Sequence, residues 1–144
     1  MKKYYHTIPV QIRFNDVDMA QHVNNSAYNE FFDLGRISYF RNVFGRTIDF
    51  NGISMVIASI RIDFFQPVFL DDLIKVQTKV ISFGNKSLEM LQEVVREGET
   101  EPTASSTTVM VCYDYTRHLS VALPVEWKQK INEFEHNGVV NKDS

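Results

Sequence analysis

One helix in this chain carries too much apolar surface to lie on the outside of anything. Residues 25–44 read as helical. Along them Ala27, Phe31 and Leu34 share one side, and Tyr28, Phe32, Gly35 and Tyr39 share the neighbouring side. Together they cover well over half the circumference, and a helix of that kind is normally enclosed by other structure. The rest of the chain therefore has to wrap it. Asn24 or Asn25 can start the helix, because an amide oxygen accepts from a first-turn N–H that has no partner within the helix. Gly45 is placed to stop it. Gly35 costs roughly 1 kcal/mol against alanine in a helix interior, and a close approach of sheet backbone at that point would explain it.

The wrapping material is β. Ile8, Val10, Ile12 and Phe14 share one parity over residues 5–14, as a half-buried strand requires. After a loop at 46–52 the period becomes two and stays there. Ala58, Ile60, Ile62 and Phe64 alternate with Ser59, Arg61 and Asp63, until Pro67 and "LDD" break the run. Ile74, Val76, Thr78 and Val80 alternate with Lys75, Gln77 and Lys79, and "FGNKS" at 83–87 signals a hairpin turn. Residues 88–96 are strand-like, "EGETEP" is a second turn, and 104–115 is a long β-branched run. Pro124 opens a short amphipathic helix over about 125–134, and residues 135–144 read as a frayed tail. The order predicts an α+β domain of residues 1–144, with a curved antiparallel sheet of about five strands around one helix.

Charge and cysteine usage narrow the partners. The 144 residues carry a formal net charge of -3, so no general attraction to nucleic acid or to an anionic membrane is expected. No apolar run approaches the ~20 residues that span a bilayer. The lone Cys112 forms no intrachain disulfide, and "MKKYYHTIPVQIRFND" lacks the apolar run and cleavage site of a secretory signal. These readings point to the cytoplasm. His6, His22, His118 and His136 show no metal-ligand spacing, so no metal is expected. Cys112 lies mid-strand among Val109, Val111 and Tyr113 and reads as a small packed hydrophobe.

The polar stretch "RFNDVDMAQHVNN", Arg13 to Asn25, precedes the helix and carries a family likeness. Phe14, Asp16, Asp18, the "HVNN" run from His22 to Asn25, Tyr28 and Arg36 resemble the 4-hydroxybenzoyl-CoA thioesterase-like acyl-CoA thioesterases, which have the hotdog fold. Asp33 stands where that pattern has an acidic residue on the helix. "IDFFQPVFLDDLIKVQTKV" is similar to the family's strand, proline and acidic turn. One position departs: the family has glycine where this chain has Gln21, which bears on the shape of the loop.

The resemblance implies hydrolysis of an acyl-CoA to a free acid and coenzyme A, with no cofactor beyond the coenzyme A of the substrate. Asp18 matches the catalytic carboxylate, as general base on water or as nucleophile forming a transient anhydride. A backbone N–H near Asn24 or Asn25, at the positive end of the helix dipole, would polarise the thioester carbonyl. His22 is a candidate for positioning the loop or the water, and Asp16 for holding loop N–H groups. Tyr28 is expected at the helix–sheet boundary beside the substrate. Asp33, three residues from Arg36, reads as an ion pair and is the candidate second carboxylate. Arg61, Lys86 and Arg117 are candidate cations for the coenzyme's phosphates. The family likeness implies a homodimer or homotetramer with sites between subunits, which suits a fold with a long exposed strand edge. Phe50 and Ile53 in the loop 46–55 would favour an apolar acyl group. Other readings are a hydratase, dehydratase or acyl-carrier-protein thioesterase of the same fold, and a non-catalytic binder of acyl thioesters.

Overall fold

The computed structural model describes residues 3–45 and 52–142. The elements in chain order are β1 (His6–Val10), α1 (Ala27–Phe44), β2 (Ile53–Phe64), β3 (Ile74–Phe83), β4 (Ser87–Arg96), β5 (Pro102–Asp114), β6 (Leu119–Ser120), α2 (Val125–Phe134) and β7 (Val140–Asn141). Five strands form an antiparallel sheet in the order β1-β3-β4-β5-β2, and the two-residue β6 and β7 pair with β5 and β3. This is the predicted α+β architecture, one sheet around one long helix. The predicted first strand is shorter than its periodicity suggests. β3 begins at Ile74, opposite Val10, so β1 has no further length of β3 to pair with. The chain turns instead into a short 3-10 segment, and Phe14 stands 82% exposed.

Residue spacing explains how α1 docks. Tyr28, Phe31 and Phe32 pack with Val10, Ile74, Val76, Val94 and Ala104. Two turns on, Tyr39 and Phe40 pack with Val80, Leu88, Met90, Met110 and Cys112. Each such side chain contributes about 1.5–3 kcal/mol when fully buried. Between the two clusters, beside the buried Gly35, lies a belt of buried polar groups: Arg36 of α1, Thr78 of β3, Gln92 of β4 and Thr108 of β5. Arg36 Nη1 donates to Gln92 Oε1 at 2.9 Å and Thr108 Oγ1 at 3.4 Å. Gln92 Nε2 donates to Thr78 Oγ1 at 3.0 Å and to the Phe32 carbonyl at 2.9 Å. A Cβ on residue 35 would lie 2.7–2.9 Å from Gln92 Nε2, Val76 Cγ1 and Thr78 Oγ1. Gly35 is thus explained by close side chains of the sheet, not by its backbone.

Two further expectations need correction. The helix is not enclosed all round: Leu34 and Ile37, 51% and 49% exposed, occupy an outer face that the sheet leaves open. The tail does not fray from residue 135. Glu135 is buried, its Oε2 accepting from the Tyr39 hydroxyl and from the Val80 N–H at 3.1 Å, and burial holds its carboxyl above the ordinary range. Beyond it β7 lies parallel to Ser82 and Phe83, and the Lys142 N–H donates to the Phe83 carbonyl at 2.8 Å. Among the described residues no helix is long and apolar enough to cross a membrane.

Candidate active site

The stretch before α1 folds on itself before it becomes helix. Val17 and Val23 pair across a tight hairpin. The Asp18 N–H donates to the His22 carbonyl and the Gln21 N–H to the Asp18 carbonyl, each at 2.9 Å. The loop between them is Met19, Ala20 and Gln21, a three-residue connection whose last position takes a left-handed conformation. Gln21 has φ +65°, so it adopts the backbone that glycine would supply without strain. Gln21→Gly relieves roughly 1–2 kcal/mol of that strain but gives back about 0.4–1 kcal/mol through the freer unfolded chain. The expected net gain is about 0.5–1 kcal/mol, read as a higher urea midpoint at unchanged slope. An unchanged or lower midpoint would show that the loop carries no strain here.

The turn fixes the Asp18 carboxylate from one side only. Its Oδ1 accepts from the Ala20 N–H at 3.0 Å and the His22 N–H at 3.3 Å. Its Oδ2 takes no protein hydrogen bond among the described residues, and the residue is exposed. Asp16 behaves differently: it is buried and accepts from the Arg13 backbone N–H at 2.8 Å and from Arg13 Nη2 at 3.1 Å. Its own carbonyl accepts from the Asn24 N–H at 2.7 Å, so it ties the chain on both sides of the turn together.

The helix start follows directly. Asn24 Oδ1 accepts from the Ser26 N–H at 3.1 Å, and the Asn24 carbonyl from the Ala27 N–H at 2.9 Å. The N-cap itself is Ser26, which makes no side-chain capping bond, so the sequence expectation of Asn24 or Asn25 in that position is corrected: Asn24 closes the turn just before the helix instead. The Asn25 carbonyl accepts from the Tyr28 N–H at 3.3 Å, while the Asn25 N–H donates to no protein acceptor among the described residues. A free main-chain donor thus sits at the positive end of an 18-residue helix.

Asp18, His22, Asn25 and Tyr28 line one open pocket of about 310 Å³, with Val23, Phe64, Phe65, Gln66 and Pro67 forming the rest of its wall. Tyr28 is buried, its ring edge-on to Phe64 at 5.1 Å, and burial pushes its hydroxyl pKa up. His22 is exposed, its ring edge-on to Phe69 at 5.0 Å and its backbone bridged to the same residue.

The other sequence candidates lie elsewhere in the single chain. Asp33, itself exposed, pairs with the buried Arg36 and lines a separate cleft of about 500 Å³ with Gln11, Arg13, Glu30, Phe31 and Leu34. Arg61 is an exposed β2 residue paired with Asp63 at 3.2 Å. Lys86 is exposed in the β3–β4 turn, beside Ser87, whose partner on β5 is Val111. Phe64 of the pocket pairs with Ala104, roughly 23 Å away along that strand at ~3.3 Å per residue. Arg117 holds Asp114 at 2.9 Å at the same far end of β5. Ile53 pairs with Asp114 there, and Phe50 lies outside the described residues. The sequence reading gave no site role to the wall residues Phe64–Pro67, although "FFQP" flags a strand ending at the proline.

The comparisons with known proteins agree with one another. The profile of the thioesterase-like superfamily matches residues 12–134. The long-chain acyl-CoA thioesterase FadM of Escherichia coli (strain K12) is 26% identical over 125 residues, covering 86% of this chain and 95% of that protein. The acyl-CoA thioesterase YbgC of Haemophilus influenzae is 27% identical over 125 residues, covering 85% and 90%. Among solved structures, a Thermus thermophilus thioesterase complexed with coenzyme A and Zn superposes with a TM-score of 0.81 at 27% identity, covering 94% of this chain and 98% of that one. The PA5185 protein of Pseudomonas aeruginosa superposes equally well, at 28% identity over 91% and 92% of the two chains.

Proposed function

This chain belongs to the thioesterase-like superfamily and is a thioester hydrolase, and from that premise we propose that it hydrolyses acyl-CoA with the turn at Asp18 and the start of α1 as its active site. The observation that carries the reading is the pairing within one pocket of a carboxylate oxygen and a main-chain N–H that both lack protein partners among the described residues. Thioester hydrolysis needs both: a base for the water that attacks the carbonyl carbon, or a nucleophile that attacks it before water does, and a donor for the oxygen on which charge develops. Asp18 Oδ2 supplies the first and the Asn25 N–H the second. The thiolate of coenzyme A leaves and takes up a proton, and the acyl group departs as the free acid. Tyr28, Phe64 and Phe65 give an apolar wall for the acyl chain, and His22 and Asn24 hold the loop that carries Asp18 and Asn25. The activities of FadM and YbgC as acyl-CoA thioesterases, and the coenzyme A in the Thermus structure, support the choice of acyl donor.

The working unit in this reading is a homodimer formed along β2. That 12-residue strand ends the sheet, and Ile57, Ile60 and Phe64 on it are 39–46% exposed. Such an edge either pairs with another chain or is blunted. Sedimentation showing only monomer at micromolar concentration would remove the dimer from the account. The activity is tested by thiol release from a panel of acyl-CoAs of differing chain length, both aliphatic and aromatic. The expected result is one thiol and one free acid per substrate consumed. Binding of the panel without any thiol release would make the protein an acyl-thioester binder instead.

A further inference from the structure

We propose that Arg96 is a positioning residue for this site, holding the 65–73 connection against the catalytic turn; its kinetic consequence rests on the acyl-CoA reading above. The connection between β2 and β3 has no regular structure of its own, yet it supplies Phe65, Gln66 and Pro67 to the pocket. It also supports the Asp18 turn. The Val23 N–H donates to the Val68 carbonyl at 2.7 Å, and His22 bridges to Phe69. Any shift of this segment moves the turn with it.

Three devices hold the segment. Its end is tied just past β4, where the Glu97 N–H donates to the Leu73 carbonyl at 2.8 Å. Its beginning is tied to β5, where the Thr103 carbonyl accepts from the Phe65 and Gln66 N–H groups at 2.8 and 3.1 Å. Its middle is tied by one side chain. From the end of β4, Arg96 Nε donates to Asp72 Oδ2 at 3.1 Å, Nη1 to Gln66 Oε1 at 3.0 Å, and Nη2 to the Pro67 carbonyl. Asp72 Oδ2 also accepts from the Phe69 N–H at 2.9 Å, so the same carboxylate closes the segment on itself. Arg96 pairs further with Glu99 at 3.5 Å and is only 19% exposed. Three acceptors spread over seven residues of chain match the rigid fork of a guanidinium, which a lysine ammonium does not reproduce. The Arg96 charge is also close enough to oppose the upward push that burial gives the Tyr28 hydroxyl in the pocket. Arg96 does not itself line the pocket; it acts through the lining residues Gln66 and Pro67 and through Asp72.

The test compares wild type, Arg96→Lys and Asp72→Ala by amide hydrogen exchange and by kcat and KM for thiol release from acyl-CoA. Both variants are expected to exchange the Val23 and Phe69 amides at least tenfold faster, with the Met90 and Cys112 amides in the sheet unchanged. Their kcat is expected to fall about tenfold while KM stays within threefold, because the turn loses its place relative to the Asn25 N–H. Retained charge in Arg96→Lys is expected not to rescue kcat. Unchanged exchange at Val23 and Phe69 overturns the proposal whatever the activity. Faster exchange with wild-type kcat also overturns it, since the segment would then be held without consequence for the chemistry. If wild type turns over no acyl-CoA, the substrate reading has failed, and the exchange data alone decide whether Arg96 holds the turn.

Discussion

Asp18→Asn is expected to lower kcat/KM for acyl-CoA hydrolysis by two to four orders of magnitude while leaving the fold and substrate binding in place. The range is that of a positioned general base, roughly 10²–10⁴. The substitution is isosteric, and the asparagine carbonyl can still accept from the Ala20 and His22 N–H groups that Oδ1 holds now. The turn therefore survives, and what disappears is the free, charged oxygen. Asn25→Ala serves as the contrast. Its main-chain N–H remains, so it is expected to cost much less than Asp18→Asn, whereas losing an oxyanion donor outright costs on the order of 3 kcal/mol. Single-turnover hydrolysis in ¹⁸O-water bears on the two routes open to Asp18: general-base attack labels only the released acid, and label in the Asp18 carboxylate requires an anhydride opened by water at the Asp18 carbonyl. Wild-type rates in Asp18→Asn would remove that carboxylate from the mechanism.

The second large effect is on stability. Gly35→Ala is expected to destabilise the protein by about 2 kcal/mol even though alanine is worth roughly 1 kcal/mol more than glycine in a helix. The new Cβ would lie within 2.9 Å of three atoms of buried side chains. Val76 Cγ1 is a short branch with nowhere to swing, and Gln92 Nε2 is pinned by bonds to Phe32 and Thr78. Overpacking of this kind costs about 1–3 kcal/mol, and each displaced hydrogen bond adds about 1 kcal/mol. These terms exceed the helix gain. At roughly 4 °C per kcal/mol for a chain of this size, calorimetry should show the melting temperature falling by roughly 8 °C. A melting temperature equal to or above wild type would mean that the polar belt yields easily and that Gly35 has no packing role.

Local periodicity made much of the fold legible. The helix at 27–44 with its Gly45 terminator, the turn at 83–87 and the short helix after Pro124 are all coded within a few residues of where they occur. What the pattern could not carry is non-local. Ile60 and Phe64 alternate like core residues, yet β2 ends the sheet and leaves them in contact with solvent. Tyr39 and Glu135, whose bond ties down the tail, are 96 positions apart. Arg96 reads in sequence as one more strand-end charge, because Gln66, Pro67 and Asp72 come to it only through the tertiary fold.

The candidate site divides the same way. Asp18, His22, Asn25 and Tyr28 lie within one turn and the first turn of one helix, so their grouping was readable as a motif. Gln21 was the position that departed from the family pattern, and it takes a left-handed backbone of the kind glycine adopts without strain. Asp33 rests on its place in the family pattern, and Arg61 and Lys86 on charge alone, and charge on an exposed surface says little about which cavity it serves.

The central claim is that one thioester sits between the Asp18 carboxylate and the Asn25 N–H. The most direct test is to bind an uncleaved acyl-CoA to Asp18→Asn and follow the backbone amides by nuclear magnetic resonance. Asn25, whose N–H has no protein acceptor among the described residues, is expected to move downfield and to exchange more slowly as the thioester oxygen becomes its partner. Saturable binding that leaves the Asn25 amide where it was, while amides elsewhere respond, would contradict the account.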